Sequence, residues 1–179
     1  DHDVIEIDLI AHRHDPIFHT VVSGCQEHLL LGSVPREAVV LTRLQALFPT
    51  VRNVHLSMGG TGRFHLNVQI EKRNEGEAKN VMMAALMLHF DFKKVVVVDS
   101  DVNIFDEREV EWAIATRFQA DKDLVVVAGA ECSRLDPSAR NGVGAKMALD
   151  ATRPLTAEPM SAVRIRVPGE EDRKSTRLN

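Results

Sequence analysis

Three short stretches hold the side chains that chemistry would need. In DSDVNIFD, residues 99–106, Asp99, Asp101 and Asn103 stand at the first three ligand spacings of a calcium loop. The pattern then fails. Ile104 occupies the position that needs glycine, and Val110 the position of the bidentate glutamate. The stretch reads instead as a strand-to-helix turn whose carboxylates bond backbone amides. In SMGGTGR, residues 57–63, glycines precede Arg63. A phosphate cradle needs such a loop to open a helix. Here another strand pattern follows, so the glycines are read as serving the turn. In GVGAKMALDAT, residues 142–152, Lys146 stands between flexible glycines and an apolar segment. It can deliver a point charge to an anionic ligand. Composition alone fits a surface lysine equally well.

The remaining candidates are histidines. His12 and His14 would share one face of a strand, and His55 and His65 would lie on paired strands. No carboxylate or cysteine stands at a recognised spacing from them, so they are read as structural or solvated. No Ser-His-Asp, Cys-His or paired-carboxylate set emerges, and the residues by themselves define no catalytic or metal site.

The elements that must position these residues read as an α/β layer. Val4 to His12 is β-branched and alternating, a strand ended at Asp15-Pro16. Residues 20–34 look irregular. A helix is expected from Pro35 to Phe48, capped by Ser33 and stopped by Pro49. Val51 to Met58 and Arg63 to Glu71 form a hairpin around the glycine loop. Asn74, with Glu77 three residues on, caps a helix to about Phe90 that is apolar nearly all round and therefore deep in the core. The valines at 95–98 make a strand buried on both faces. Asp106, with Glu109, caps the next helix, at about 107–118. The Asp turn lies at the carboxyl end of that strand, where open α/β sheets gather ligands. Leu124 to Val127 is a short buried strand, 129–144 is loop-like, and Lys146 to Ala151 is a last strand or a closing turn. This order predicts parallel or mixed pairing.

The 179 residues suffice for one good core. A net charge of -4 gives no reason to expect nucleic acid or an anionic membrane surface. No apolar run approaches the roughly 20 residues that span a bilayer. Cys25 and Cys132 stand far apart and form no ligand pair, which fits a reduced, cytoplasmic setting.

Several segments together resemble the carboxyl-terminal part of the UbiD family of prenylated-FMN-dependent decarboxylases. They are VIEIDLIAHRHDPIFH at 4–19, PREAVVLTRLQALFPTVRNVHL at 35–56, GEAKNVMMAALMLHFDFKKVVVVDSDVNIFD at 76–106, VEWAIATRFQADKDLVVV at 110–127 and LDPSARNGVGAKMALDAT at 135–152. The resemblance implies a reversible carboxy-lyase acting on an aromatic, heteroaromatic or unsaturated carboxylic acid. It implies prenylated FMN held with a divalent metal, manganese, and potassium, and assembly into homo-oligomers. In that chemistry the modified flavin serves as electron sink, carbon dioxide leaves and a glutamic acid supplies the proton. The family's Glu-Arg-Glu set, its metal ligands and an EGPFGE-like segment precede the part matched here, so no catalytic or metal residue carries over. Lys146 does: it matches a lysine that approaches the flavin phosphate in some members. The stretches EHLLLGSVPREA, FHLNVQI and TRFQADKDL resemble members acting on furan or pyrrole acids, with polyprenyl-hydroxybenzoate decarboxylase the neighbouring choice.

The expected organisation follows. Residues 1–19 end a truncated central flavin-binding β-barrel domain. Residues 20–168 form the α/β domain, a layered sheet with packed helices. Residues 169–179 are a polar tail, in which DRKSTRLN, 172–179, resembles a translated sequencing adapter. The chain alone is expected to be inactive. A non-catalytic stand-alone interaction or oligomerisation module is the alternative. The apolar first strand argues against it, since it would be a bare edge.

Overall fold

The computed structural model describes residues 4–156. Five strands form one sheet: β1 Val51–Leu56, β2 His65–Ile70, β3 Lys94–Asp99, β4 Leu124–Glu131 and β5 Val143–Ala151. Three helices cover it: α1 Gln26–Leu47, α2 Glu77–Leu88 and α3 Glu107–Arg117. The sheet order is β1-β2-β3-β5-β4. β2, β3 and β5 run parallel, and β1 and β4 are antiparallel edges. The expected mixed α/β layer is present.

The valine run explains the layering. Val95 and Val97 join the apolar cluster under α1 and α2, while Val96 and Val98 join the one under α3. Period-two alternation thus feeds two cores from one strand, and β3 is buried on both faces. Asp106 caps α3 as expected, accepting the Arg108 amide at 2.9 Å. Glu109 accepts the Asn103 amide at 2.9 Å.

Several expectations need correction. Val4 to His12 is not a strand: no described strand lies beside it to complete a ladder, and Val4, Ile5 and Leu9 are fully exposed. Residues 26–34, expected to be irregular, form the first turns of α1. Pro35 lies inside that helix rather than opening it, so the Leu31 carbonyl loses its usual donor. Ser33 is an interior, buried residue and not a cap. α2 starts at Glu77 behind Gly76, whose φ of 80° only glycine adopts freely. The Glu77 carboxylate nevertheless folds back, accepting the Arg73 amide at 2.7 Å and the Thr50 hydroxyl at 2.6 Å. α2 is not buried all round: Ala78, Val81, Met82, Ala85 and Leu86 face the core, but Met87 is 85% exposed. β4 is longer than expected and is an exposed edge, and β5 begins three residues before Lys146. Residues 157–179, with the polar tail and its adapter-like stretch, lie outside the described residues.

Candidate functional site

Lys146 sits on β5 opposite Val127 of β4, on the sheet face covered by α2. It is a buried residue, 7% exposed. Its Nζ donates to the carbonyls of Leu86 at 3.4 Å and His89 at 3.3 Å. Those carbonyls close the carboxyl end of α2, the negative pole of the helix. Both bonds are long, so the ammonium is only loosely satisfied. Burial pushes its pKa below the ordinary lysine value, against the opposing pull of Cys132, Glu131 and Asp91. The surface-lysine reading of Lys146 is therefore excluded.

Lys146 lies at the base of an open cleft of about 500 Å³ with a mostly apolar wall that includes Met83, Met87, Phe90 and Val127. His89 stacks on Phe90 with ring centroids 4.6 Å apart. Its Nδ1 accepts the Asp91 amide at 3.1 Å. Burial, with Arg36 nearby, lowers the His89 pKa, so the ring is neutral near pH 7.

A second, polar hollow of about 550 Å³ adjoins the first, sharing Phe90 and Glu131 with it. Its organising group is Asp91, 2% exposed. One oxygen, Oδ2, receives Arg63 at 2.9 Å and Arg36 at 3.1 Å. The other, Oδ1, is buried without a well-formed hydrogen bond. Burial raises the Asp91 pKa, but the Ser133 hydroxyl and the two guanidiniums outweigh it, and the carboxyl titrates below its ordinary value. The glycine loop delivers Arg63. The chain turns there through Thr61 and Gly62 at φ near 60°. Glu107 of α3 fastens it, accepting the Ser57 hydroxyl at 2.6 Å and the Gly59 amide at 2.7 Å.

The Asp turn occupies the other end of the sheet, at the carboxyl end of β3, whereas Lys146 lies at the amino end of the parallel strands. Asp99 and Asp101 are ligands of Arg117, at 2.9 and 2.8 Å, and of Arg153. Burial raises the Asp99 pKa above its usual value. At Asp101 burial acts the same way but the Arg117 bond prevails and lowers it. This is an ion-pair lock between β3, α3 and the chain after β5. His12 and His14 are exposed on irregular chain. His55 bonds Glu37 at 3.0 Å, and burial beside Lys94 and Lys93 lowers the His65 pKa. Among the described residues no group of three or more His, Cys, Asp or Glu side chains can hold a metal ion. Sequence reasoning missed His89, Asp91 and Arg36. A lone carboxylate between two phenylalanines in HFDFKK was the available signal.

This sheet with its packed helices is a domain of known lineage. Residues 29–151 match the family described as 3-octaprenyl-4-hydroxybenzoate carboxy-lyase C-terminal domain, and the chain belongs to the UbiD family. It is 50% identical over 151 residues to the anhydromevalonate phosphate decarboxylase of Aeropyrum pernix, covering 84% of this chain and 34% of that protein. To the gallate decarboxylase of Lactiplantibacillus plantarum it is 35% identical, covering 85% and 34%. Its fold matches the UbiD-class enzyme HmfF from Pelotomaculum thermopropionicum in complex with FMN, with a TM-score of 0.85 and 48% identity over 94% of this chain and 38% of that one. An evolved dimeric form of HmfF, in complex with prenylated FMN, matches with a TM-score of 0.74 and 42% identity, again over 94% of this chain and 35% of that one. The chain thus spans about a third of the length of these relatives.

Proposed function

We propose that this chain is the carboxyl-terminal part of a prenylated-FMN-dependent carboxy-lyase and that Lys146 holds the flavin phosphate. The observation that carries the reading is the buried, loosely satisfied Lys146 ammonium at the base of an apolar-walled cleft. Its donor chemistry fits an anionic cofactor group: an anion at Nζ would offset the burial that lowers its pKa. The complexes of HmfF with FMN and prenylated FMN support the flavin. When bound, that cofactor supplies an electron sink for loss of carbon dioxide. This chain's own part is to fix the anionic end through Lys146 and to exclude water with Met83, Met87 and Phe90. The manganese and potassium of the family find no ligand set among the described residues, and no step is assigned to them here.

The substrate is an unsaturated carboxylic acid carrying a phosphate, as the name of the Aeropyrum pernix relative describes, in preference to a furan, pyrrole or other aromatic acid. Residues 4–19 belong to the flavin-binding domain; their bare apolar side chains are what such a segment shows without its neighbours. The same bareness weighs against a stand-alone module. The parent forms homo-oligomers, a reading the dimeric HmfF supports. No described helix is long and apolar enough to cross a membrane. Two free thiols support a cytoplasmic setting.

The test is FMN binding by the 179-residue chain. Lacking the other wall of the site, it should not retain flavin through gel filtration and should not decarboxylate. Millimolar FMN should still shift the NMR signals of Lys146 and His89, and Lys146→Met should abolish those shifts. Shifts that survive Lys146→Met overturn the assignment. A monomeric chain that retains flavin tightly overturns the divided site.

A further inference from the structure

The polar hollow has chemistry of its own. Arg63 donates to Asp91 through Nη1 only; among the described residues its Nη2 and Nε have no partner. Arg134 lines the same hollow and makes no hydrogen bond or ion pair among the described residues. Both side chains border a concave, water-accessible space beside Ser133.

Charge is unbalanced there. Arg63, Arg134 and Lys146 line the joined hollows with only two carboxylates, Asp91 and Glu131, and Asp91 also pairs with Arg36, while burial lowers the His89 pKa. Asp91 is already committed to two guanidiniums. It therefore orients Arg63 without neutralising it, since Arg36 balances its single charge. A guanidinium held through one nitrogen on a buried carboxylate is oriented and keeps donors for phosphate oxygens.

We propose that Arg63 and Arg134 form a phosphate-monoester subsite, distinct from Lys146, that binds the phosphate of the substrate. This deepens the reading above and rests on it for the identity of the ligand, not for the existence of the site. Asp91 is a positioning residue: it sets Arg63 and touches no ligand. The glycine loop thus contributes to anion binding after all, through the arginine it carries and not through its amides. Its fastening by Glu107 fixes the reach of that arginine.

The experiment is NMR titration of the 179-residue chain with inorganic phosphate, ethyl phosphate and FMN, each against sodium chloride at equal ionic strength. Phosphate and ethyl phosphate should give saturable shifts at the Arg63 Nε–H and at the Ser133 and Gly142 amides. Arg134→Gln, at an exposed residue, should weaken that binding at least tenfold with the sheet amides unmoved. Arg63→Lys should retain part of it and Arg63→Gln none. Lys146→Met should leave it intact while removing the FMN shifts at His89. Non-saturating shifts that chloride reproduces overturn the subsite. So does phosphate binding that disappears in Lys146→Met, which would mean a single anion site. FMN shifting Arg63 in place of Lys146 would assign the hollow to the cofactor and overturn the substrate assignment. Loss of the FMN shifts alone sinks the flavin reading and leaves this one standing.

Discussion

Gly60 is the position where one added methyl group should do most harm. An ideal Cβ there would lie 2.3 Å from His65 Cβ, 2.4 Å from its Cγ and 2.8 Å from its backbone nitrogen. Carbon atoms rest at about 3.5–4.0 Å, so the overlap exceeds an ångström. No rotamer change relieves it, because Cβ and the amide nitrogen belong to the frame of β2. The loop must move instead, against the hydrogen bonds that hold it. The Gly60 amide donates to the Ser57 carbonyl at 3.0 Å, the Arg63 and Phe64 amides to the Gly60 carbonyl at 3.2 and 2.9 Å, and the Ser57 amide to the His65 carbonyl at 3.0 Å. Overpacking strain of about 1–3 kcal/mol, with about two of these bonds lost at roughly 1 kcal/mol each, gives a cost of about 3–5 kcal/mol for Gly60→Ala. A domain of this size has about 5–15 kcal/mol in all. Urea unfolding reads the cost as a fall in midpoint at constant slope. Gly59→Ala is the milder comparison: its Cβ meets only the Glu107 carboxylate, at 2.9 Å, a side-chain end that can give way by loosening its bonds to Ser57 and Gly59. It should cost about 1–2 kcal/mol. A Gly60→Ala chain within 1 kcal/mol of the parent would refute the reasoning, because the loop would then be free to shift and could not fix Arg63.

Arg117→Met should destabilise by about 3 kcal/mol, because it leaves Asp99 and Asp101 with only the longer Arg153 contacts, at 3.8 and 3.7 Å; a thermal shift under 2 °C would contradict the lock. Asp136, bonded to Lys93 at 2.8 Å and to Ser138, has its pKa lowered to about 2, with the Lys93 bond the main cause. Its contribution is therefore present above the ordinary value of 3.8 and lost as pH falls toward 2. Asp136→Asn should remove that part of the acid limb of the stability curve, and identical acid limbs would contradict it. At Lys146 the pKa is lowered as well, but there burial disfavours the charged form. The folded chain gives up this proton at lower pH than the unfolded chain, so stability should rise as pH climbs toward 10.5, the ordinary lysine value. In Lys146→Met that rise should vanish, with neutral-pH stability unchanged or higher; a loss above about 2 kcal/mol would instead make the ammonium a net stabilising cap.

Patterns that depend on a few neighbouring residues were the legible ones. The valine run, the Asp106 cap and the hairpin around SMGGTG were readable because alternation and turn chemistry act within one or two turns of chain. Lys146 was singled out by family resemblance alone; its burial was not legible, because that depends on α2 packing its carboxyl end over β5. The start of α1 was misread because Pro35 is a good first-turn residue, while QEHLLL before it is helix-forming without a cap signal. The Val4–His12 strand was misread because alternation reports an affinity for a sheet and not the presence of one. Asp91 and its arginines were invisible for a related reason. Arg36, Arg63 and Asp91 come from three separate elements, and only the sheet order brings them together.

The order of the strands also bears on how the chain acquires its shape. β4 is synthesised before β5 yet lies outside it, and Lys94 of β3 must find Met147 of β5 across the whole of α3 and β4. The β1–β2 hairpin closes locally, whereas this long-range parallel pairing carries the greater loop-closure cost. β4 and β5 are therefore expected to dock as a paired unit, late, and to detach first when the native state opens. Lys146, Glu131 and Arg134 ride on or beside that unit, while Arg63, His89 and Asp91 belong to the part already formed. Phosphate should accordingly slow amide exchange in β4 and β5 more than in β1 and β2, because a ligand that bridges the two parts stabilises only the state in which they are joined.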